Sequence, residues 1–324
     1  MPSLNDFFQH HLPHIEESLR TICSGLNPLV QPVAEHILSG GGKRLRPALF
    51  LLTYQALTCG RRDRDLYPLA AALELIHSAT LLHDDILDNA DIRRSQSSAH
   101  LLFGTSATLL AGDALLAKAN KVITEYNNLS LMSCISEAIY QTATGEILEI
   151  ERMKQPGLSR EEYLEIIVGK TGFLLQTCCQ SGALMADCQP EQEEAAKAFG
   201  LNMGIAFQLV DDALDYAATP SQSGKPLGGD LREGKLTLPL IFFLDQLEQE
   251  SKRQILSKIK DHALDSQEQE WILSTIQEKG LSQKARDEAD TFLRTARQAL
   301  DAFPHSAQRC LLDQSLDFIR NRWE

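Results

Sequence analysis

The segment AALELIHSATLLHDDILD (residues 71–88) decides the fold class. Apolar residues recur in it every three or four positions, which is the spacing that buries one face of an α-helix. The segment AAKAFGLNMGIAFQLVDDALDY (residues 195–216) has the same character, whereas the alternating β-branched runs typical of strands are nearly absent. The sequence therefore predicts an all-α protein of about a dozen helices, with these two nearly apolar segments at its centre.

Glycine and proline residues divide the chain into helical segments but not into domains. No linker rich in Pro, Gly or Ser interrupts the chain, so we expect a single domain over residues 1–324. Its motif-bearing core covers about residues 20–245, and polar, amphipathic outer helices follow at about 246–324, where we expect little chemistry. The joints expected between helices are Gly40–Gly42, Gly104, Pro156–Gly157, Pro190, residues 219–229 and Phe303–Pro304.

The overall composition limits the classes of partner and compartment. A net charge of −13 argues against a nucleic-acid-binding protein, because contact with phosphate backbones needs a concentrated basic surface. The N-terminal stretch MPSLNDFFQHHLPHIEESLR has no apolar run, and no segment contains the roughly 18 apolar residues of a membrane span. We therefore expect a soluble, cytoplasmic protein. The seven cysteines include no CxxC pair and are expected to be reduced thiols.

The first candidate for chemistry is the sequence DDILD (Asp84, Asp85 and Asp88) at the end of an apolar helix. Asp84 and Asp88 are four residues apart and share one helical face, with Asp85 expected near its edge. Carboxylates this close on an apolar helix repel one another and favour a bound cation. Magnesium suits them, because it takes one or two carboxylates and completes its shell with water and substrate phosphate. The alternative is an exposed helix end with three solvated aspartates.

A second motif of the same form, DDALD (Asp211, Asp212 and Asp215), ends the second apolar segment. Two solvated surface turns would not both belong to core helices, so the repetition favours a metal site. We expect the two helix ends to face each other and to surround magnesium ions and a diphosphate with six carboxylates. Metal-bound diphosphate is a good leaving group, because the ions neutralise the charge that develops as the C–O bond breaks.

Basic residues that could bind phosphate groups lie in two clusters. The sequence GGGKRLRP (residues 40–47) places Lys43, Arg44 and Arg46 between a glycine turn and the start of a helix. Bases oppose the helix dipole there unless an anion is present. Arg93 and Arg94 follow the first aspartate motif. Further polar positions could line the pocket, although each alone could be an ordinary core, surface or capping residue: His77, Lys170, Thr171, Gln208, Lys225 and Lys235.

The motifs GGGKRLRP, LLHDDILD, IRR, GKTG, FQLVDDALDY and GKPLGGDLREGKLTLP, in this order, resemble those of the trans-isoprenyl diphosphate synthase (polyprenyl synthetase) family, long-chain type. The resemblance implies an all-α bundle of the isoprenoid synthase type with a central cavity, usually as a homodimer. It also implies a prenyltransferase that condenses isopentenyl diphosphate, head to tail, with an allylic diphosphate. Residues 95–98 depart from the family, which usually has Gly, a base and often Pro after the arginine pair.

The resemblance further implies roles for individual residues. The magnesium ligands would be Asp84, Asp85, Asp88, Asp211, Asp212 and Asp215, with about three ions per site once substrate is bound. The allylic diphosphate would contact Arg93, Lys170, Lys225 and Lys235, with Gln208 nearby. Isopentenyl diphosphate would be held by Lys43, Arg46, His77 and Arg94. The chemical step would depend on Lys170, on Thr171, which would stabilise the allylic cation, and on the aspartates other than Asp215.

The length of the product is expected to follow from small residues near the first aspartate motif. Ala79 and Thr80 occupy positions where relatives that make short products carry a bulky aromatic residue. Ala114, Ala117 and Ala119 on the next helix are small as well. We predict a product of C25 or longer, near C40, as used for quinone side chains. Close helix packing is the alternative reason for small residues at these positions.

Other functions remain open at the level of the sequence. A short-chain (farnesyl or geranylgeranyl) diphosphate synthase would use the same motifs. A terpene cyclase or a head-to-head synthase would not need cations for a second diphosphate. A catalytically silent subunit that regulates an active homologue usually lacks one or both aspartate motifs. Any membrane contact for product release would be transient, since no basic amphipathic helix marks it.

Overall fold

Helices make up almost all of the described structure, and the prediction of an all-α protein is confirmed. The structure is a computed structural model that describes residues 3–60, 64–94, 96–153, 157–217 and 227–321. The helices in these ranges are α1 (Leu4–Ser24), α2 (Gln31–Ser39), α3 (Leu45–Leu57), α4 (Tyr67–Leu87), α5 (Ala99–Phe103), α6 (Thr105–Thr124), α7 (Leu129–Met153), α8 (Arg160–Ile167), α9 (Phe173–Met185), α10 (Pro190–Asp215), α11 (Gly229–Arg232), α12 (Leu238–Leu244), α13 (Gln249–Lys260), α14 (Ser266–Glu278), α15 (Leu281–Ala299) and α16 (Ala307–Arg320).

The described ranges contain more helices than the dozen that the sequence predicts. Short helices such as α5 and α11 have too few residues to show a helical period, so periodicity alone does not reveal them. A π-helical segment (Val168–Gly172) joins α8 to α9, and a 3-10 turn (Leu300–Ala302) follows α15. The sequence also gave no sign of a small antiparallel hairpin, in which β1 (Ile92–Arg93) pairs with β2 (Gln96–Ser97).

The chain folds into two compact units. The first unit comprises Met1–Ile139, Thr177–Ala196 and Ala302–Leu312, and the second comprises Tyr140–Gln176, Lys197–Asp301 and Asp313–Glu324.

Helices α3 and α4 form the core of the first unit. Every residue from Pro47 to Leu57 is buried, so α3 is enclosed on all sides as expected for a helix that is apolar all round. The first half of α4 is buried in the same way, from Leu69 to Ile76. The second half, which ends in the first aspartate motif, buries only one face. The sequence pointed to α4 as a central helix but did not single out α3.

Helix α1 covers this core with a single apolar face. It starts with a capping box, in which Ser3 Oγ accepts a hydrogen bond from the Asp6 backbone N–H and the Asp6 carboxylate accepts one from Ser3 N. Its buried side chains are Phe7, His11, Ile15, Leu19, Ile22 and Cys23, a helical period of three to four residues.

In the second unit, α12 is completely buried, whereas α13, α14 and α15 are amphipathic. Helix α15 buries Ala285, Ala289 and Leu293 along one face and leaves its other faces polar and exposed. These amphipathic helices fall within the part of the chain, about residues 246–324, for which the sequence predicts polar outer helices. No described helix is both long enough and apolar enough to cross a membrane.

Candidate active site

The first aspartate motif ends α4 in the first unit. Asp84 and Asp88 are partly exposed, whereas Asp85 is completely buried. Asp85 therefore lies on the buried side of the helical face that Asp84 and Asp88 share. Asp85 continues the row of Ser78 and Leu82, which are the residues seven and three positions before it on the buried face of the helix.

Asp85 forms an ion pair with Arg93 in the hairpin that follows. The Arg93 Nε–H donates to Asp85 Oδ1, whereas Asp85 Oδ2 is buried and has no hydrogen-bond partner among the described residues. A buried carboxylate oxygen without a partner is costly. A cation bound at this oxygen would remove that cost, so the carboxylate fits the role of a magnesium ligand.

The glycine turn after α2 lies against Arg94. The Arg94 guanidinium donates to the backbone oxygen of Gly41, and the Arg94 backbone is in the left-handed region with a φ of 50°. Gly42 has a φ of 142°, and a Cβ atom added there would lie 2.8 Å from Arg94 Nη1. A side chain at position 42 would therefore displace the guanidinium of Arg94. The structure thus brings Arg94 next to the glycine turn that precedes Lys43 and Arg46, and these three bases are the ones that the sequence analysis assigned to isopentenyl diphosphate.

Two further candidates for that site, Arg46 and His77, lie within the electrostatic reach of Arg94. Burial, assisted by Arg46 and then Arg94, lowers the pKa of His77 well below its usual value. Arg46 Nε is buried and has no hydrogen-bond partner among the described residues, and burial lowers the pKa of its guanidinium. The guanidinium groups of Arg46 and Arg94 lie close to each other and would be stabilised by an anion. Lys43 is exposed at the end of the glycine turn.

Arg44 differs from the other two bases of this cluster. It is 4% exposed and pairs with Glu16 at 2.7 Å and with Glu74 at 3.0 Å. Its guanidinium also donates to the backbone oxygen of Leu38 at 2.9 Å. Arg44 is therefore a structural residue, and the three bases of the sequence motif do not form one phosphate-binding set.

The second aspartate motif ends α10 in the second unit. Asp211 is exposed and Asp212 is buried. Asp212 accepts hydrogen bonds from the Tyr163 hydroxyl and from Gln208 Nε2, both at 2.6 Å. Burial raises the pKa of the Asp212 carboxyl to about 7, against the lowering effect of these two hydrogen bonds. The sequence had suggested Gln208 but not Tyr163.

Asp215 lies beside another carboxylate that the sequence did not reveal, that of Asp230. Asp215 accepts hydrogen bonds from the backbone N–H groups of Gly229 at 3.1 Å and Asp230 at 2.9 Å, so it also anchors the start of α11. Burial raises the pKa of Asp230 well above its usual value, and the nearby Asp212 and Asp215 raise it further. Carboxylates crowded in this way favour a bound cation. A carboxylate at a helix start within the sequence GKPLGGDLREGK was the only signal for Asp230.

Lys170 and Thr171 lie in the π-helical segment. The Lys170 ammonium lies 2.6 Å from Glu149 Oε2 and 2.9 Å from Glu146 Oε2. Burial would lower the pKa of Lys170, but Glu149 and Glu146 outweigh it and raise the pKa above its usual value. The Thr171 hydroxyl donates to Gln208 Oε1 at 2.8 Å. Sequence reasoning missed both glutamates, because nothing in the run GEILEIER distinguishes them from the charged face of a helix.

These groups line a cavity of about 120 Å³ in the second unit. Its polar lining residues are Glu149, Arg152, Tyr163, Lys170, Gln208, Asp212, Asp230, Lys235 and Thr237, and its apolar ones are Met153, Leu158, Ile166, Ile167 and Leu236. The Lys235 ammonium is 2.9 Å from Glu233 Oε2. Lys225 and Ser95 fall outside the described residues. The cavity thus combines carboxylates with cationic side chains.

Within the described ranges, no three His, Cys, Asp or Glu side chains are already arranged to hold a metal ion. Magnesium typically binds through one or two carboxylates and takes its other ligands from water and substrate phosphate. The first motif lies in one unit and the second in the other. That the two motifs face each other across a shared site stays a prediction.

Comparison with known proteins decides the family. The model of the polyprenyl synthetase family matches residues 27–276 of the chain. The chain belongs to this family. Like other members of the polyprenyl synthetase family it is a prenyltransferase of the all-α isoprenoid synthase fold, and the predicted enzyme class and trans-polyprenyl diphosphate synthase function are confirmed.

Its similarity to individual members extends over most of the chain. It is 35% identical to octaprenyl diphosphate synthase from Escherichia coli, over 87% of this chain and 86% of that protein. It is 37% identical to a short chain isoprenyl diphosphate synthase from Methanocaldococcus jannaschii, over 77% of this chain and 76% of that protein. The crystal structure of a polyprenyl synthase from Caulobacter crescentus, complexed with calcium and isoprenyl diphosphate, superimposes with a TM-score of 0.89. It is 33% identical and covers 98% of this chain and 97% of that one.

Proposed function

We propose that this protein is a magnesium-dependent synthase that extends an allylic diphosphate with isopentenyl diphosphate to a long-chain product near C40. The observation that carries the proposal is the pairing of acidic and basic groups in each unit. Asp85 with Arg93 and Arg94 forms one set, and Asp212 with Lys170 forms the other. A reaction between two diphosphates needs cations for both and carboxylates for the metal.

In the proposed reaction, the protein groups bind and orient the substrates. Magnesium, when bound, neutralises the charge that develops on the departing diphosphate. Lys170 and Lys235 bind the allylic diphosphate. Arg46, His77 and Arg94 hold isopentenyl diphosphate, and His77 does so as a neutral imidazole with one N–H to donate.

Thr171 is suited to stabilise the allylic cation. Its hydroxyl hydrogen is donated to Gln208, which leaves the oxygen lone pairs free to act on a positive charge. The isopentenyl double bond attacks the cation, and the released diphosphate accepts the proton that is lost. No nucleophilic side chain is required by this sequence of steps.

The long-chain part of the proposal is supported by Ala79. It is fully buried in α4, one turn before the first aspartate motif, and has only a methyl group where an aromatic residue would fill space. The similarity to an octaprenyl diphosphate synthase points in the same direction. The similarity to a short chain synthase makes the short product the alternative to test.

We include a homodimer, a single domain and a cytoplasmic location in the proposal. Helices α5 and α6 expose Leu101, Leu102, Leu109 and Leu110, each with about half or more of its surface accessible. A row of exposed leucines on two adjacent helices suits a surface that a second copy of the chain covers. All seven cysteines are free thiols, as suits a reducing compartment.

The test is incubation of the purified protein with magnesium, farnesyl diphosphate and labelled isopentenyl diphosphate, followed by analysis of the dephosphorylated products. We expect a ladder that ends at one long polyprenol and disappears when magnesium is chelated. A product that stops at farnesyl or geranylgeranyl length would retain the class and reject the long chain. No incorporation by the pure protein would favour a regulatory subunit that needs an active partner.

A further inference from the structure

The ammonium group of Lys170 is already neutralised by the protein. It lies between the carboxylates of Glu149, at 2.6 Å, and Glu146, at 2.9 Å. The three side chains are mostly buried, with exposed fractions of 24% for Lys170, 18% for Glu149 and 11% for Glu146. An ammonium group has three N–H donors, so two of them are used within the protein.

The backbone enforces this arrangement. A Cβ atom added to Gly145 would lie 2.6 Å from the Lys170 backbone nitrogen, and one added to Gly169 would lie 2.8 Å from Gly145 Cα. Helix α7 and the π-helical segment therefore cross at two glycines, with their backbones in contact. Glu146 follows directly after Gly145, and Glu149 lies one turn further on the same face of α7. π-Helical turns are rare and occur frequently at functional sites.

A diphosphate that binds Lys170 must compete with these two carboxylates. We propose that Glu146 and Glu149 are positioning residues that lower the affinity of the cavity for diphosphate and so promote release of inorganic diphosphate after each condensation. This inference rests on the proposed function, in which Lys170 binds the allylic diphosphate. An enzyme that adds several isoprene units must release one diphosphate per unit, so diphosphate must not bind too tightly.

The glutamates could compete with diphosphate for Lys170, or they could simply hold Lys170 in place. These two roles predict opposite effects of Glu149→Gln on diphosphate binding. If the glutamates only held Lys170 in place, Glu149→Gln would loosen the lysine and weaken diphosphate binding. If they compete with the ligand, the same change releases Lys170 and strengthens binding. The substitution keeps the shape of the side chain and removes its charge.

The test is calorimetric titration of inorganic diphosphate into the full-length protein in the presence of EDTA, so that only protein groups bind it. We expect Glu149→Gln to bind diphosphate about fivefold more tightly than the wild type, as suits a partly screened ion pair. In the Lys170→Met background the same change should give no tightening, because the competing partner is gone. Weaker or unchanged binding by Glu149→Gln would overturn the proposal, as would tightening that persists without Lys170.

Matched controls separate this effect from a general loss of negative charge. Glu233 lies 2.9 Å from Lys235, but 52% of its side chain is exposed, so Glu233→Gln should change diphosphate affinity less than twofold. If Glu233→Gln bound diphosphate as much more tightly as Glu149→Gln does, the effect would come from the general loss of negative charge, and the proposal would be overturned. Glu146→Gln is the second test variant, and should tighten binding in the same direction even if Glu149→Gln does not fold.

Steady-state kinetics provide an independent readout. With magnesium present, we expect Glu149→Gln to lower the KM for the allylic substrate and to lower kcat, because diphosphate leaves more slowly. A purely structural defect would raise KM. If the wild type forms no polyprenol, the proposed function fails. If the wild type is active and Glu149→Gln binds diphosphate no more tightly, only the present inference fails.

Discussion

The Arg44 Nη1 atom lies 3.0 Å from Glu74 Oε1, and both side chains are almost completely buried. The same guanidinium contacts Glu16 and the backbone oxygen of Leu38, the penultimate residue of α2. Arg44 itself is the N-cap of α3, with a left-handed φ of 45°. One side chain thus joins the two ends of the glycine turn from the inside.

Glu74→Gln should destabilise the protein strongly. It leaves the buried Arg44 charge without its buried partner, and breaking a buried pair in this way typically costs about 3 kcal/mol or more. Urea unfolding of the variant and the wild type measures the difference. Glu17→Gln is the matched control, because its pair with Arg20 is exposed and should contribute little. Equal effects of the two substitutions would show that Arg44 does not depend on Glu74.

Gly42→Ala should impair the binding of isopentenyl diphosphate. The new Cβ would lie 2.8 Å from Arg94 Nη1, and the backbone has a positive φ that an alanine rarely adopts. Displacement of Arg94 should raise the KM for isopentenyl diphosphate about tenfold while the KM for the allylic substrate changes less. Gly104→Ala controls for backbone strain, because Gly104 also has a positive φ but open space around its Cβ position. A similar KM in both variants would argue against a role for the turn.

His77 should make the protein less stable as the pH falls. Burial and the nearby Arg46, Arg94, Arg93 and Arg44 hold its pKa well below 6.5, so the folded protein resists protonation that the unfolded chain accepts. Stability is unaffected well above pH 6.5 and declines as the pH falls through 6.5, by at most about 1.4 kcal/mol per pH unit.

The measurement is the free energy of unfolding of the wild type and of His77→Gln at pH 8, 6.5 and 5.5. The wild type should lose more stability than the variant between pH 6.5 and 5.5. The difference between them should stay constant from pH 8 to about 7. Parallel curves over the whole range would show that His77 titrates normally.

Ala79→Tyr should shorten the product to farnesyl or geranylgeranyl diphosphate. Ala79 is fully buried, and under the proposed function a phenol ring there would fill space that the growing chain needs. The measurement is chain-length analysis of the dephosphorylated products. Ala79→Ser adds a single oxygen and should leave the distribution as in the wild type. An unchanged distribution in an active, folded Ala79→Tyr protein would reject the open-tunnel explanation of product length.

Leu110→Glu should weaken self-association. Leu110 is 62% exposed on α6 beside Leu109, and a carboxylate there would be unfavourable in an apolar interface. Analytical ultracentrifugation should show dimers of the wild type and monomers of the variant at micromolar concentration. Leu29→Glu, at an 86% exposed position before α2, should remain dimeric. A dimeric Leu110→Glu protein would place the interface elsewhere.

Local patterns in the sequence were sufficient for the fold class and for the main candidate residues. The helical period of residues 71–88 and 195–216 predicted central helices, and the repeated aspartate motif at their ends predicted carboxylates for a metal. Both motifs do end long helices, α4 and α10, and the turns just before each motif are partly buried. These features depend on residues within a few positions of one another, which is the range over which periodicity carries information.

The tertiary structure decided which charged residues pair with one another, because their partners lie between eight and 30 residues away in the sequence. Arg44 forms an ion pair with Glu74, and Asp85 forms one with Arg93. Lys170 pairs with two glutamates that local sequence patterns did not predict. Burial fixes these pairings, since a charge removed from water needs a nearby opposite charge. The sequence determined that this protein is a helical prenyltransferase; packing between segments determined which of its charged groups pair with one another.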